Sequence, residues 1–181
     1  MLILSLDTSS SNVSFCLLKD SKPVLSFYKK TNEKTLSLLP FLFNTFDIKP
    51  AEIDAFFVCI GIGYATPLRI GVNFTKAMCI ALEKPIYSFI NIDAVAKTMF
   101  SKDSLFLYRK VSNAYVGAYY EKGYRVSDIE EYKELPDAMS KDIEEYEHMF
   151  SCLGYEAFKE EKPSDIFFVE PIYTRPPTRV F

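Results

Sequence analysis

The sequence has no tryptophan, a single histidine and only six glycines in 181 residues. His148 alone cannot form a metal site. The four cysteines, Cys16, Cys59, Cys79 and Cys152, are scattered among apolar residues without the paired spacing of zinc or redox motifs. We therefore expect free, buried thiols in a reducing compartment, no bound metal and no cofactor.

Long hydrophobic runs and a concentrated positive charge are also missing. No apolar stretch approaches the roughly 20 residues of a membrane-spanning helix. Residues 1–7 lack the basic region and the small-residue cleavage site of a secretory signal. The net charge is −3, whereas unaided binding to RNA usually needs a basic face. We expect a cytoplasmic protein with no membrane partner and only indirect contact with nucleic acid.

The hydrophobic pattern predicts one succession of elements twice, which indicates a duplicated α/β unit over residues 1–97 and a shorter one over 98–181. In the first half we expect strands at 2–7, 13–19, 24–30, 55–60 and 86–89, and helices at 33–47, 66–82 and 91–100. In the second half we expect strands at 105–110, 114–121, 124–133, 148–152 and 166–169, a helix at 136–145, and a short helix between Gly154 and Ile166.

Residues 61–71, Gly-Ile-Gly-Tyr-Ala-Thr-Pro-Leu-Arg-Ile-Gly, contain three of the six glycines and join a buried strand to a helix. Thr66 could cap this helix, with Pro67 at its first position. The segment lacks the Gly-Lys-Ser/Thr of a P-loop and the third glycine of a dinucleotide fingerprint. The pattern favours a tight turn before a capped helix, and a phosphate-binding loop is the alternative.

This segment resembles the Gly-Pro-Gly-Ser-Phe-Thr-Gly-Leu-Arg-Ile-Gly signature of the bacterial TsaB (YeaZ) family, with Gly61, Gly63, Thr66 and Gly71 as matching signature residues. Residues 3–9, 38–40 and 170–173 agree with the family as well. The resemblance implies an α/β fold of the actin-like, ribonuclease-H-like (ASKHA) type, with two similar lobes and a shortened second lobe. The family's Asp-Ala-Arg is missing, and residues 108–110 stand in its place.

The resemblance also implies a function. The chain would be a non-catalytic accessory subunit for N6-threonylcarbamoyladenosine (t6A37) modification of tRNA. Its partner would be a TsaD-type catalytic subunit, with a TsaE-type ATPase as a further partner and a homodimer through the same helices as an open alternative. Contact with tRNA would be indirect.

An enzyme of the actin-like fold, an ATPase or kinase acting on its own, is the alternative function. Its strongest support is Asp7 at the end of the first strand, followed by Thr8 and Ser9, as a vestigial phosphate-facing group. The other interpretation is that Asp7 accepts hydrogen bonds from the following turn. The first turn contains no glycine and no second acid is placed beside Asp7, so we expect no independent catalysis.

The two main helices are apolar around more of their circumference than one core-facing side requires. We therefore expect helices 33–47 and 66–82 to bind a partner subunit. We also expect Arg69, near the start of its helix, to pair with an acid such as Asp7 or an acid of the partner. The expected partner-binding residues are Leu36, Leu39, Phe43, Phe46, Arg69, Ile70, Phe74, Ala77 and Ala81.

Overall fold

The computed structural model describes residues 1–30, 35–136 and 139–173. The first half forms a five-stranded sheet in the order β3-β2-β1-β4-β5. The first three strands form an antiparallel meander, and β4 and β5 continue the sheet parallel to β1. Its elements are β1 (Leu2–Asp7), β2 (Val13–Lys19), β3 (Lys22–Lys29), α1 (Thr35–Thr45), β4 (Ala55–Gly61), α2 (Ala65–Leu82), β5 (Ile86–Ile90) and α3 (Asn91–Met99).

These bounds confirm every element predicted for the first half to within a few residues. Residues 33 and 34, the expected start of the first helix, lie outside the described residues. The boundary that we expected near residue 97 stays a prediction, and Lys97 itself lies in the last turn of α3.

The second half repeats the meander and then departs from the prediction. It contains β6 (Ser104–Val111), β7 (Ala114–Glu121), β8 (Tyr124–Arg125), β9 (Glu130–Tyr132), β10 (Ser140–Asp142), a 3₁₀ helix (Ile143–Met149) and α4 (Phe150–Phe158). β7 pairs with β6 and with both β8 and β9, and β10 adds to β6 in parallel. Within the described residues this second sheet has no counterpart of β5.

Four predictions for the second half are wrong. The expected helix at 136–145 is replaced by β10 and the 3₁₀ helix, because Ser140–Asp142 pair with β6. The expected strand at 148–152 lies mostly in α4. The expected strand at 124–133 is broken into two short pieces. Residues 166–168 form a turn, in which Phe168 N donates to Asp165 O over 3.0 Å.

The two faces of the first sheet are covered by different helices. α1 and α2 lie on one face, over a core that includes Leu4, Phe15 and Val58. α3 and α4 lie on the other face and share a second core with the inner side of the second sheet. Because α4 comes from the second half of the chain and packs on β1, β2 and β4, the two halves complete one another.

The outer side of the second sheet carries an aromatic cluster. Ring centroids in this cluster lie 4.9 to 6.3 Å apart, within the range of favourable aromatic pairing. Its members are Phe106, Tyr108, Tyr115, Tyr119 and Tyr132. Among the described residues, no helix has both the length and the apolar character needed to cross a bilayer.

Candidate functional site

The glycine turn packs directly on the loop that follows β1. Tyr64 N donates to Ser9 O over 2.8 Å. A Cβ atom on Gly63 would lie 1.9 Å from that same oxygen, so this position accepts no side chain without moving the backbone. Gly61, the last residue of β4, lies against Ile172. The glycine turn therefore packs closely against two other segments of the chain, the loop that follows β1 and the segment that contains Ile172.

The first turns of α2 contact the same loop. Thr8 Oγ1 donates to Pro67 O over 2.9 Å, and a Cβ atom on Gly71 would lie 2.1 Å from that Oγ1. The predicted cap at Thr66 is wrong. α2 begins at Ala65, before Thr66, so the exposed Thr66 is already inside the helix.

Asp7 is buried, and its carboxylate is hydrogen-bonded to the turn that follows it. Its Oδ1 accepts hydrogen bonds from the backbone N and the Oγ of Ser9, both over 2.8 Å. This is the turn arrangement that we weighed against a phosphate-facing role. The Cys59 thiol donates to Gly61 O over 3.3 Å, and Asp7 Oδ2 has no hydrogen-bond partner within the described residues. Burial raises the pKa of the Asp7 carboxyl, and the neighbouring Cys59 thiol, the hydrogen bonds from Ser9 and the Arg109 charge offset only part of that rise.

A buried ion pair extends this polar cluster into the second half of the chain. Arg109 on β6 pairs with Glu147 of the 3₁₀ helix, and both side chains are almost fully buried. Arg109 Nη1 also donates to Ser9 Oγ over 2.7 Å. Glu147 Oε2 accepts from Asn12 Nδ2 over 2.7 Å and from the Tyr28 hydroxyl over 2.9 Å. One network therefore spans both sheets.

The charge of Glu147 is held by its neighbours. Burial alone would raise its pKa, but the adjacent Arg109 guanidinium and the donors Ser10, Asn12 and Tyr28 outweigh burial and hold that pKa below its usual range. The pair therefore stays charged at neutral pH.

Asn91, at the start of α3, ties the glycine turn to the network. Its Oδ1 accepts from Ile62 N over 2.5 Å, and its Nδ2 donates to Ile62 O over 2.9 Å and to Ser9 Oγ over 3.1 Å. The sequence indicated Asn91 only as the start of a helix. It gave no role to Arg109 or Glu147.

A cleft of about 220 Å³ opens on the outer side of the glycine turn. Its walls are mostly apolar and include Ile62, Tyr64, Val111 and Ile172. Among the described residues that line it there is no lysine or arginine, and Glu131 adds a carboxylate. Binding a triphosphate needs positive charge or metal to balance it, and these walls supply no positive charge.

The outer surface of α1 and α2 has an unusual share of exposed apolar side chains. Leu36 is 64% exposed, Phe41 55% and Ile80 61%. Ile70 and Phe74 on α2 are half-buried. The two helices lie side by side on the same face of the sheet, where the rings of Phe43 and Phe74 are 5.7 Å apart. We call Leu36, Phe41, Ile70, Phe74 and Ile80 the helical apolar surface.

Among the expected partner-binding residues, Leu39 and Phe43 instead lie in the core of the chain, and Phe46 is half-buried. Leu39 is 1% exposed and Phe43 8%, and Phe46 packs on the rings of Phe15 and Phe27. Assigning Leu39 and Phe43 to a partner surface was wrong, because α1 turns them toward the sheet. Ala77 and Ala81 are exposed on α2.

Arg69 contacts the segment that follows α4 rather than an acid. Its Nε donates to the Tyr173 hydroxyl over 2.8 Å, and its guanidinium lies 5.0 Å from the centre of that ring. The expected pairing with Asp7 is therefore wrong. Nearby, Lys76 Nζ donates to Val169 O over 3.1 Å, so residues 169–173 lie along α2.

Residues 27–160 match the family model described as TsaD, tRNA N6-adenosine threonylcarbamoyltransferase. The chain belongs to this family. A curated relative, the tRNA threonylcarbamoyladenosine biosynthesis protein TsaB of Bacillus subtilis (strain 168), is 28% identical over 100 residues, 53% of this chain. That match spans 44% of the relative's own length. The resemblance drawn from residues 61–71 is thereby confirmed.

Two solved structures from Pseudomonas aeruginosa have the same fold over nearly their whole length. One is YeaZ, with a TM-score of 0.71 at 14% identity, covering 95% of this chain and 99% of that one. The other is an uncharacterized protein with similarity to peptidase YEAZ, with a TM-score of 0.70 at 16% identity, covering 96% and 99%. The predicted actin-like, ribonuclease-H-like fold with a shortened second lobe is confirmed.

Proposed function

We propose that this chain is a non-catalytic accessory subunit of t6A37 synthesis on tRNA, and that it acts in the cytoplasm as the partner of a TsaD-type catalytic subunit. The matching family model carries the name of the transferase, and the Bacillus relative is named for biosynthesis of the same nucleoside. Both names point to one modification. This chain would then assist the modification rather than perform it.

The observation that carries the proposal is the helical apolar surface. Large apolar side chains grouped on one face of a monomer usually mark a protein interface. A stable interface buries about 1,600 Å² in total, an area that two adjacent helices of 11 and 18 residues can provide. The exposed Ala77 and Ala81 on α2 would let a partner helix approach closely.

The contacts around Asp7 support a role without catalysis. Ser9, Gly63 and Asn91 fill the space beside Asp7, and Arg109 holds Ser9 from the other half of the chain. An ATPase or kinase needs open space there for phosphate oxygens. Calorimetry with ATP and Mg²⁺ on the isolated chain tests this: sub-micromolar binding with turnover would favour the enzyme over the accessory subunit.

The decisive experiment is co-purification of the chain with a TsaD-type subunit. Leu36→Asp and Ile80→Asp place a charge on the helical apolar surface without touching the core, and each should abolish the complex. Val24→Asp is the matched control, because Val24 is 57% exposed on β3, away from α1 and α2. Retention of the complex by both helix variants would refute the proposed surface.

A second copy of the chain is the competing occupant of the surface. Size-exclusion chromatography of the isolated chain, with and without Ile80→Asp, measures self-association. If the same variant abolishes both the homodimer and the complex with a TsaD-type subunit, the two assemblies use one surface and exclude each other.

A further inference from the structure

Three side-chain contacts join the β2 hairpin to α4 along one line on the inner face of the first sheet. They are Ser14 Oγ to Ser151 Oγ at 2.7 Å, Cys16 Sγ to Cys152 Sγ at 2.7 Å, and Ser21 Oγ to the Tyr155 hydroxyl at 2.9 Å. The two sulfur atoms are therefore held between two hydrogen-bonded pairs. Neither β2 nor α4 can slide along the other without breaking these contacts.

We propose that Cys16 and Cys152 are an oxidisable pair that closes to a reversible disulfide. Their sulfur atoms are only about 0.7 Å farther apart than the roughly 2.0 Å of a disulfide bond. The other two cysteines have no such neighbour among the described residues, since Cys59 donates to Gly61 O and Cys79 lies 3.9 Å from Pro85 O. Proximity therefore singles out one pair of the four thiols.

The two cysteines divide the chemistry between them. Cys152 is half-buried, 3.7 Å from the exposed Ser26 hydroxyl, while Cys16 is completely buried. The contact with Cys16 and the nearby Ser26 and Ser151 side chains lower the pKa of Cys152, and the contact with Cys152 together with burial raises the pKa of Cys16. Cys152 is therefore the more accessible of the two thiols and the one that loses its proton more readily.

A peroxide supplies the oxidant. The Cys152 thiolate attacks one oxygen of hydrogen peroxide, the O–O bond breaks, and Cys152 becomes a sulfenic acid as hydroxide leaves. The sulfur of Cys16 then attacks Cys152 Sγ; the S–O bond breaks and the sulfenic oxygen leaves as water, taking up the Cys16 proton. Overall, two thiols lose two electrons, and one peroxide is reduced to two waters once the hydroxide is protonated.

The disulfide would join positions 136 residues apart and tie β2 to α4. Closing so long a loop restricts the unfolded chain, and for a protein of this size the melting temperature should rise by roughly 5–15 °C. The bond lies on the opposite face of the first sheet from α1 and α2. Oxidation should therefore leave the helical apolar surface unchanged, and this inference does not depend on the proposed function.

The test treats the folded, reduced chain with equimolar hydrogen peroxide and measures intact mass and linked peptides. We expect a loss of about 2 Da, one peptide linking Cys16 to Cys152, and reversal by dithiothreitol. Cys79→Ser, the matched control, should oxidise as the wild type does. Cys152→Ala should lose no mass, and Cys16→Ala should gain about 16 Da at Cys152 as the unresolved sulfenic acid.

Two results would overturn the proposal. One is a wild-type chain that is treated with peroxide while folded and still has four free thiols when it is afterwards unfolded and titrated. The other is a crosslink that involves Cys59 or Cys79 in place of either member of the pair. Because the wild type supplies the decisive measurement, poor folding of a cysteine variant cannot leave the result ambiguous.

Discussion

At the scale of single residues, Gly63 lies so close to the Ser9 carbonyl that no side chain fits at this position. A methyl group at this position would lie 1.9 Å from an oxygen held by Tyr64 N, so the backbone of one segment must move. We expect Gly63→Ala to lower the free energy of unfolding by at least about 2 kcal/mol. Urea unfolding measures this, with the exposed neighbour Ala65→Ser as control. Equal stability of the two variants would contradict the packing.

The ion pair between Arg109 and Glu147 gives a second residue-scale prediction. Removing one partner leaves a buried charge without compensation, which typically costs 3–5 kcal/mol. We expect losses of about that size for Arg109→Met and for Glu147→Gln measured singly. In a double-mutant cycle the combined variant should lose much less than the sum of the two. Additive losses would show that the two side chains act independently.

Asp7 should make stability depend on pH in the opposite sense from most carboxylates. Its pKa is raised in the folded chain, so the stability that Asp7 contributes is full below its ordinary pKa and is lost as the pH rises through the folded value. Asp7→Asn should therefore be more stable than the wild type at pH 7, by about 1–2 kcal/mol. The difference should shrink toward pH 3.5.

Urea unfolding at both pH values, with Asp54→Asn as an exposed control, measures this effect. Glu147 contributes in the usual direction, because its lowered pKa makes its stabilisation disappear as the pH falls. Both proteins share that loss, so it cancels in the comparison. If Asp7→Asn were instead less stable than the wild type by the same amount at both pH values, the carboxylate itself would be required for stability.

At the scale of elements, two threonines have different roles at the start of α2: Thr66 lies inside the helix, and Thr8 contacts it from the loop after β1. Thr66 is exposed inside the first turn and caps nothing, so Thr66→Ala should change the free energy of unfolding by less than about 0.5 kcal/mol. Thr8 is buried and donates to Pro67 O, so Thr8→Ala should cost about 1–3 kcal/mol. Thermal melts of the two variants give the contrast. Equal losses of stability in the two variants would indicate that Thr66 caps α2 as first predicted.

The first half of the chain was predictable because its elements obey local rules. The strands alternate or are continuously apolar, and α2 combines a glycine turn before it with a long apolar pattern. The second half failed where pairing outweighed propensity. Residues 140–145 resemble a helix in sequence, yet Ser140–Asp142 form β10 beside β6, and Ile143 is buried after it.

The candidate site could be predicted only in part, for a related reason. The glycine turn and Asp7 were visible because each lies within a short motif. Arg109 meets Ser9 across 100 residues and Cys152 meets Cys16 across 136, so no local spacing could reveal either contact. Leu39 and Phe43 were placed on the partner surface because both belong to a wide apolar arc, and the sequence does not show which part of that arc meets the sheet.

At the scale of the whole molecule, the two halves should unfold as one unit. α4 covers Ile3, Leu18 and Phe57 of the first sheet, so the first half alone leaves a large apolar face in water. We expect a fragment of residues 1–99 to lack a cooperative thermal transition by circular dichroism, while the full chain shows a single one. A sharp transition in the fragment would show that the first half is an independent domain.

The position of α4 also has a consequence for biosynthesis. The ribosome releases the first sheet early, but the helix that covers its inner face is among the last elements to emerge. Among the helices, only α3 is therefore present on the inner apolar face of the five strands while some sixty further residues are translated, at about 5–20 residues per second. During those seconds the nascent chain is a natural client for chaperones, and a stalled ribosome would present it in its most aggregation-prone form.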